Sequence, residues 1–125
     1  MNGTTMAHKT GQDLIDEAKR QIEEVTPEQV QEMQERNEQV VYLDVREPNE
    51  WNLGRIPHAV HLPRGNLETK VEALIDRGTK VVIYCARGNR SALAALTMKQ
   101  MGYENVSSMA RGFHGWAEIG GEVVD

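Results

Sequence analysis

Residues 80–102 run KVVIYCARGNRSALAALTMKQMG, and the architecture can be read outward from them. Val81-Val82-Ile83-Tyr84 is apolar and β-branched without alternation, the pattern of a strand covered on both faces in a parallel sheet. Ser91 to Met101 is rich in Ala and Leu and stops at Gly102, as a helix does. Only Cys85-Ala86-Arg87-Gly88-Asn89-Arg90 lies between them. A buried strand joined to a helix by so short a loop is a unit of an α/β domain.

The flanking segments repeat that alternation. Val40-Val41-Tyr42-Leu43-Asp44-Val45 is a second buried strand, Ala59–Leu62 a short one bracketed by Pro57 and Pro63, and Val106–Met109 a last one. Thr26-Pro27-Glu28-Gln29 carries an N-cap, a proline at the first helical position and a capping-box residue, and Val30 and Met33 give that helix its buried side. Glu47–Leu53 is a short helix closed by Gly54. Leu67, Val71, Leu74 and Ile75 have helical spacing before Gly78, and Gly112–Ile119 is a last short helix. Upstream, residues 1–11 are polar, and Leu14, Ala18, Ile22 and Val25 form one apolar stripe of a helix over 12–25. The fold class is α/β, a central, mostly parallel sheet flanked by helices in three layers. An extra N-terminal amphipathic helix lies in an extension, residues 1–24, ahead of one domain, residues 25–125. That helix has two uses, packing back on the domain or pairing with a second copy as a homodimer.

Composition narrows the function. A net charge of −5 argues against nucleic acid, whose phosphates need a cationic face. There is no apolar run of the roughly 20 residues that cross a bilayer, and no apolar leader at the amino terminus, so a cytoplasmic protein is expected. The single cysteine excludes an internal disulfide and a multi-cysteine zinc site. His8, His58, His61 and His114 lack ligand spacing, so no metal is expected.

Cys85 sits where α/β sheets bind ligands, at the carboxyl end of a strand. The amides after it can form an anion-binding nest, with Gly88 and Asn89 able to take positive φ. The following helix directs its positive end at the loop, Arg87 and Arg90 add cations, and no acid lies between Asp76 and Glu104. Each feature favours an anion, and a thiolate is one.

Cys85-Ala86-Arg87-Gly88-Asn89-Arg90-Ser91 resembles the active-site loop of the rhodanese-family sulfurtransferases. Asp44-Val45-Arg46-Glu47 with Glu50-Trp51, Gly54-Arg55-Ile56-Pro57-His58-Ala59, Gly102-Tyr103 and Gly112-Phe113-His114-Gly115-Trp116 resemble its other marks in order. The resemblance runs from about Val25 to the end and implies a reaction. Cys85 would take the outer sulfur of a small anionic donor such as thiosulfate and hold it as a persulfide. It would then pass the sulfur to cyanide, a thiol or a protein acceptor. Arg87 and Arg90 would bind the donor, the amides from Ala86 to Ser91 would cradle the sulfur, and no cofactor is implied. Arg55, His58 and Arg111 depart from the family pattern at positions taken to lie away from the loop.

Asp44, Arg46 and Glu50 admit two readings, acid–base residues or ion pairs tying the first strand to the short helix. Trp51 and Trp116 are expected to plug the core. The rival chemistry is phosphoryl transfer, because cysteine phosphatases and arsenate reductases also place Cys before an amide-lined loop ending in Arg. Their pattern has five intervening residues, whereas four separate Cys85 from Arg90 here. A shorter loop suits one sulfur atom better than a tetrahedral oxyanion.

Overall fold

The computed structural model describes residues 8–125, so the polar stretch expected over 1–11 lies largely outside it. Among the described residues, five strands form one fully parallel sheet: β1 Glu23–Val25, β2 Val41–Asp44, β3 Val60–His61, β4 Val81–Tyr84 and β5 Val106–Met109, in the order β1-β5-β4-β2-β3. Six helices connect them: α1 Gly11–Gln21, α2 Pro27–Glu35, α3 Pro48–Asn52, α4 Leu67–Leu74, α5 Asn89–Gln100 and α6 Gly112–Glu118. A 3-10 turn, Arg64–Asn66, leads into α4.

Strand alternation sorts the core into two layers. Leu43, Val45, Val81, Ile83 and Cys85 face one way and pack with Val71, Ala94, Ala95, Met98 and Tyr103 from the α4–α5 side. Tyr42, Val82, Tyr84 and Met109 face the other way, against Val30 and Met33 of α2 and Trp116 of α6. All four residues of β4 are buried, as a centrally placed strand requires. The three-layer α/β expectation is met.

The amino-terminal region departs from the sequence reading. The helix expected over 12–25 ends at Gln21, Ile22 is already extended (φ −118°, ψ 169°), and residues 23–25 form an edge strand beside β5. Ladder bonds to β5, extended by Ala110 N–H to the Val25 carbonyl at 2.8 Å, replace the intrahelical bonds that three more helical residues would have made. The expected boundary at residue 24 therefore falls inside a strand of the main sheet. α1 lies along α5, with Ala18 fully buried and Ile22 against the core, while Leu14 stays half exposed.

Trp116 is buried as expected, its indole N–H donating to the Glu122 carbonyl at 2.8 Å. Trp51 is not a core plug. It lies half-buried at the surface, stacked on His61 at 4.7 Å and under the Arg55 guanidinium at 4.2 Å, because a five-residue helix presents no full buried face.

Candidate active site

Strands β2 and β4 end side by side, with Asp44 opposite Tyr84. Cys85 follows Tyr84, and the alternation that buries Ile83 on the α5 side buries the thiol there too, leaving the residue 1% exposed. Gly88 takes a left-handed conformation (φ +98°) and turns the chain into α5, two residues earlier than the sequence suggests. Asn89 is not needed for that turn; it is already helical, and Lys19 of α1 donates to its side chain at 3.1 Å.

The turn directs the amides of Gly88 and Ser91 at Cys85 Sγ, at 3.1 and 3.3 Å. Ser91 Oγ lies 3.4 Å from the sulfur and 2.8 Å from Ser108 Oγ on β5. The start of the loop is pinned separately, by α6. Phe113 N–H donates to the Cys85 carbonyl at 2.8 Å and His114 N–H to the Ala86 carbonyl at 3.0 Å. Gly112 (φ +55°) permits this approach, since a Cβ on it would stand 2.5 Å from the Cys85 carbonyl oxygen. The cradle is thus held from both sides and aimed at one buried sulfur, where it stabilises negative charge on Sγ or on an atom bonded to it. Arg111, taken from the sequence to lie away from the loop, has its backbone N within 3.3 Å of where a Gly88 Cβ would stand.

The charges are arranged differently from the sequence expectation. Arg87 is exposed and has no ion-pair partner among the described residues. Arg90 is bound by Glu50 through two bonds of 2.8 and 3.0 Å, so an acid offsets it from another element although none is near in sequence. Glu50 was grouped with Arg46 in the sequence, but Arg46 belongs to Asp44 alone. Its guanidinium grips that carboxylate at 2.7–3.1 Å, donates to the Gly54 carbonyl at 2.7 Å and lies 4.4 Å from the Phe113 ring. Asp44 is fully buried and Arg46 is 4% exposed, an anchoring ion pair with no free group for acid–base work.

The Arg90 guanidinium, aided by the Glu47 N–H at 2.9 Å, lowers the Glu50 carboxyl to a pKa of about 2, from an ordinary 4.5. A depressed carboxylate pKa stabilises the fold fully above about pH 4.5, and that stabilisation is lost as pH falls toward about 2, because the unfolded chain takes up the proton first. The melting temperature is therefore expected to fall more steeply over that window in the native protein than in Glu50→Gln. Parallel slopes would show that the pair contributes nothing.

A cleft of about 200 Å³ opens beside the loop, between Glu50, Leu53 and Gly54 on one side and Ala86, Phe113 and His114 on the other. Leu53 at its rim is 87% exposed. The sequence reading did not assign Leu53, Phe113, His114 or Ser108 to the site; the glycine-flanked run Gly112–Gly115 was the available signal for the middle two. Larger hollows of about 430 and 580 Å³ lie beside Lys80 and Asn105 at the opposite ends of the strands, and neither is lined by the cysteine. Among the described residues, no three His, Cys, Asp or Glu side chains converge to hold a metal ion, and no helix is long and apolar enough to cross a membrane.

Known proteins resemble this chain in sequence and in fold. The family model of the Rhodanese-like domain matches residues 26–119. The "Putative sulfur carrier protein YrkF" of Bacillus subtilis is 34% identical over 95 residues, 76% of this chain; the chain spans about half of that relative's length, 51%. The "Thiosulfate sulfurtransferase GlpE" of Pseudomonas paraeruginosa is 31% identical over 98 residues, covering 78% of this chain and 86% of the relative. A solved structure from Rhodopseudomonas palustris, described as "Possible Tyrosine Phosphatase", superposes with a TM-score of 0.86 at 32% identity over 99% of both chains.

Proposed function

The chain belongs to the rhodanese-like domain family, and on that premise we propose that it is a sulfurtransferase carrying sulfane sulfur on Cys85. The observation that carries this reading is the amide cradle, in which the only thiol of the chain receives N–H groups from Gly88 and Ser91. With thiosulfate as donor, the Cys85 thiolate attacks the outer sulfur, the S–S bond of the donor breaks, and sulfite leaves with the electron pair. The product, Cys85–S–S⁻, places its new charge where loop amides and the α5 N-terminus stabilise it. Attack on the outer sulfur by cyanide or a thiol, free or on a protein, restores the thiolate. Arg87, exposed at the rim, steers anions toward the loop. A reducing cytoplasm suits a protein whose one cysteine must stay free.

A relay of sulfur between proteins is the second reading, favoured by Leu53, a large apolar side chain exposed beside the cleft where a partner would approach. Self-association through α1 would have to use the edge around Leu14, because Ala18 is already covered. Phosphoryl transfer fits poorly, since the loop is one residue short of that pattern and Arg90 is held by a carboxylate.

The test is intact-mass spectrometry of the purified chain after thiosulfate treatment. A gain of one sulfur atom, reversed by a thiol reductant, is expected. No gain from folded protein with a titratable thiol would reject thiosulfate as the donor.

A further inference from the structure

Three arginines and two carboxylates surround the Cys85 loop. Arg46 is saturated by Asp44, and Arg90 by Glu50 through both carboxylate oxygens. Of these three, Arg87 is the one left without an ion-pair partner among the described residues. Glu50 does more than neutralise Arg90, because it also lines the cleft that opens beside Ala86. The same wall carries Arg46, whose charge is already matched by Asp44, so an anion approaching the loop through that cleft passes the Glu50 carboxylate with no unpaired guanidinium in the lining. The carboxylate is held in place, since Glu50 closes the capping box of α3 by accepting the Glu47 N–H at 2.9 Å.

We propose that Glu50 selects sulfur donors by charge: holding Arg90 and presenting a carboxylate to the cleft, it penalises dianionic thiosulfate and favours singly charged sulfane sulfur, the class to which thiol persulfides belong. This rests on the reading of Cys85 as the sulfur carrier. Coulomb repulsion scales with the product of charges, so a dianion is penalised twice as heavily as a monoanion at the same distance. A repulsion across a solvated cleft is screened by salt, which gives the effect a signature that a purely structural role for Glu50 lacks.

Two donors separate charge from chemistry. Thiosulfate is a dianion and loses sulfite; methanethiosulfonate is a monoanion and loses methanesulfinate. In both, the Cys85 thiolate bonds the sulfane sulfur while the donor's S–S bond breaks, with the electron pair departing on the leaving group. Glu50→Gln removes the charge yet retains a side-chain oxygen for the Glu47 N–H and for Arg90. In the full chain, with cyanide as acceptor, the ratio of kcat/KM for thiosulfate to that for methanethiosulfonate is expected to rise roughly 5- to 10-fold in Glu50→Gln. The gain should come through KM and shrink in molar salt. An equal change for both donors, or no change, would overturn the proposal.

Thiosulfate binding measured by calorimetry in Cys85→Ser and Cys85→Ser/Glu50→Gln gives a readout independent of transfer. Tighter binding in the double variant supports the charge role even if Cys85 fails to load, in which case only the carrier reading falls. Unchanged binding in a chain that does load sulfur would remove the charge role alone.

Discussion

Cys85→Ser is expected to lower sulfur transfer by about 10⁴-fold or more, while the melting temperature moves by no more than about 5 °C. The two halves of that expectation have separate causes. A serine hydroxyl is not ionised at neutral pH and cannot form a persulfide, so the covalent route closes. The cradle, however, asks only for an acceptor. Gly88 and Ser91 donate to Sγ at 3.1 and 3.3 Å, and a serine oxygen can receive the same N–H groups. Ser91 Oγ, 3.4 Å from the sulfur, remains a hydroxyl partner. The site is nearly dry, with Cys85 1% exposed, so a variant that left those donors unpaired would instead destabilise the protein by about 1–3 kcal/mol each. Steady-state transfer and thermal denaturation on the same preparation check both halves. Because the chain has one cysteine, persistent transfer in the variant would dismiss sulfur chemistry at this loop altogether.

What the sequence revealed about this site, and what it concealed, follows from the range of the interactions. The loop was legible because its logic is local: the strand, the turning glycine, the helix dipole and the cysteine fall within residues 81–91. The Asp44–Arg46 pair spans only two positions and was equally open to reading. Glu50 and Arg90 are 40 residues apart, and a scan for acids near the loop in sequence finds none; the sheet order brings α3 and α5 to the same end. The same limit hid the support given by α6. Nothing near Cys85 in sequence states that its carbonyl will be taken by Phe113, although Gly112 and Gly115 mark a backbone that must come close to something. Strand β1 was missed for a different reason. Ile22 and Val25 keep a helical spacing from Ala18, and the residues between them are acidic, so local pattern favours a helix. Pairing with β5, more than 80 residues away, overrides that preference.

Dependence of the loop on α6 can be measured with two glycines. Gly112→Ala is expected to destabilise the protein by about 3–4 kcal/mol, a fall in melting temperature of roughly 12–15 °C. Two costs add. At φ +55° an alanine bears left-handed strain of about 1–2 kcal/mol. Its Cβ would also stand 2.5 Å from the Cys85 carbonyl oxygen and 2.7 Å from the carbonyl carbon and oxygen of Ala86, so one of the two segments must retreat. Retreat breaks the bonds from Phe113 and His114 that hold those carbonyls, and it shifts the amides that face the sulfur. Displacements of that size at reacting groups cost about 10²-fold in rate, so transfer per folded molecule should fall as well. Gly120→Ala is the control. It shares the positive φ, at +74°, but nothing lies within 4 Å of its added Cβ, so it carries the strain without the collision. About 1 kcal/mol, or roughly 4 °C, with transfer unchanged, is expected there. The difference between the two variants isolates the contact between α6 and the loop. Equal losses would mean that the loop yields freely to Gly112→Ala, and the geometry facing Cys85 Sγ would then have to be maintained by Gly88 and α5 alone.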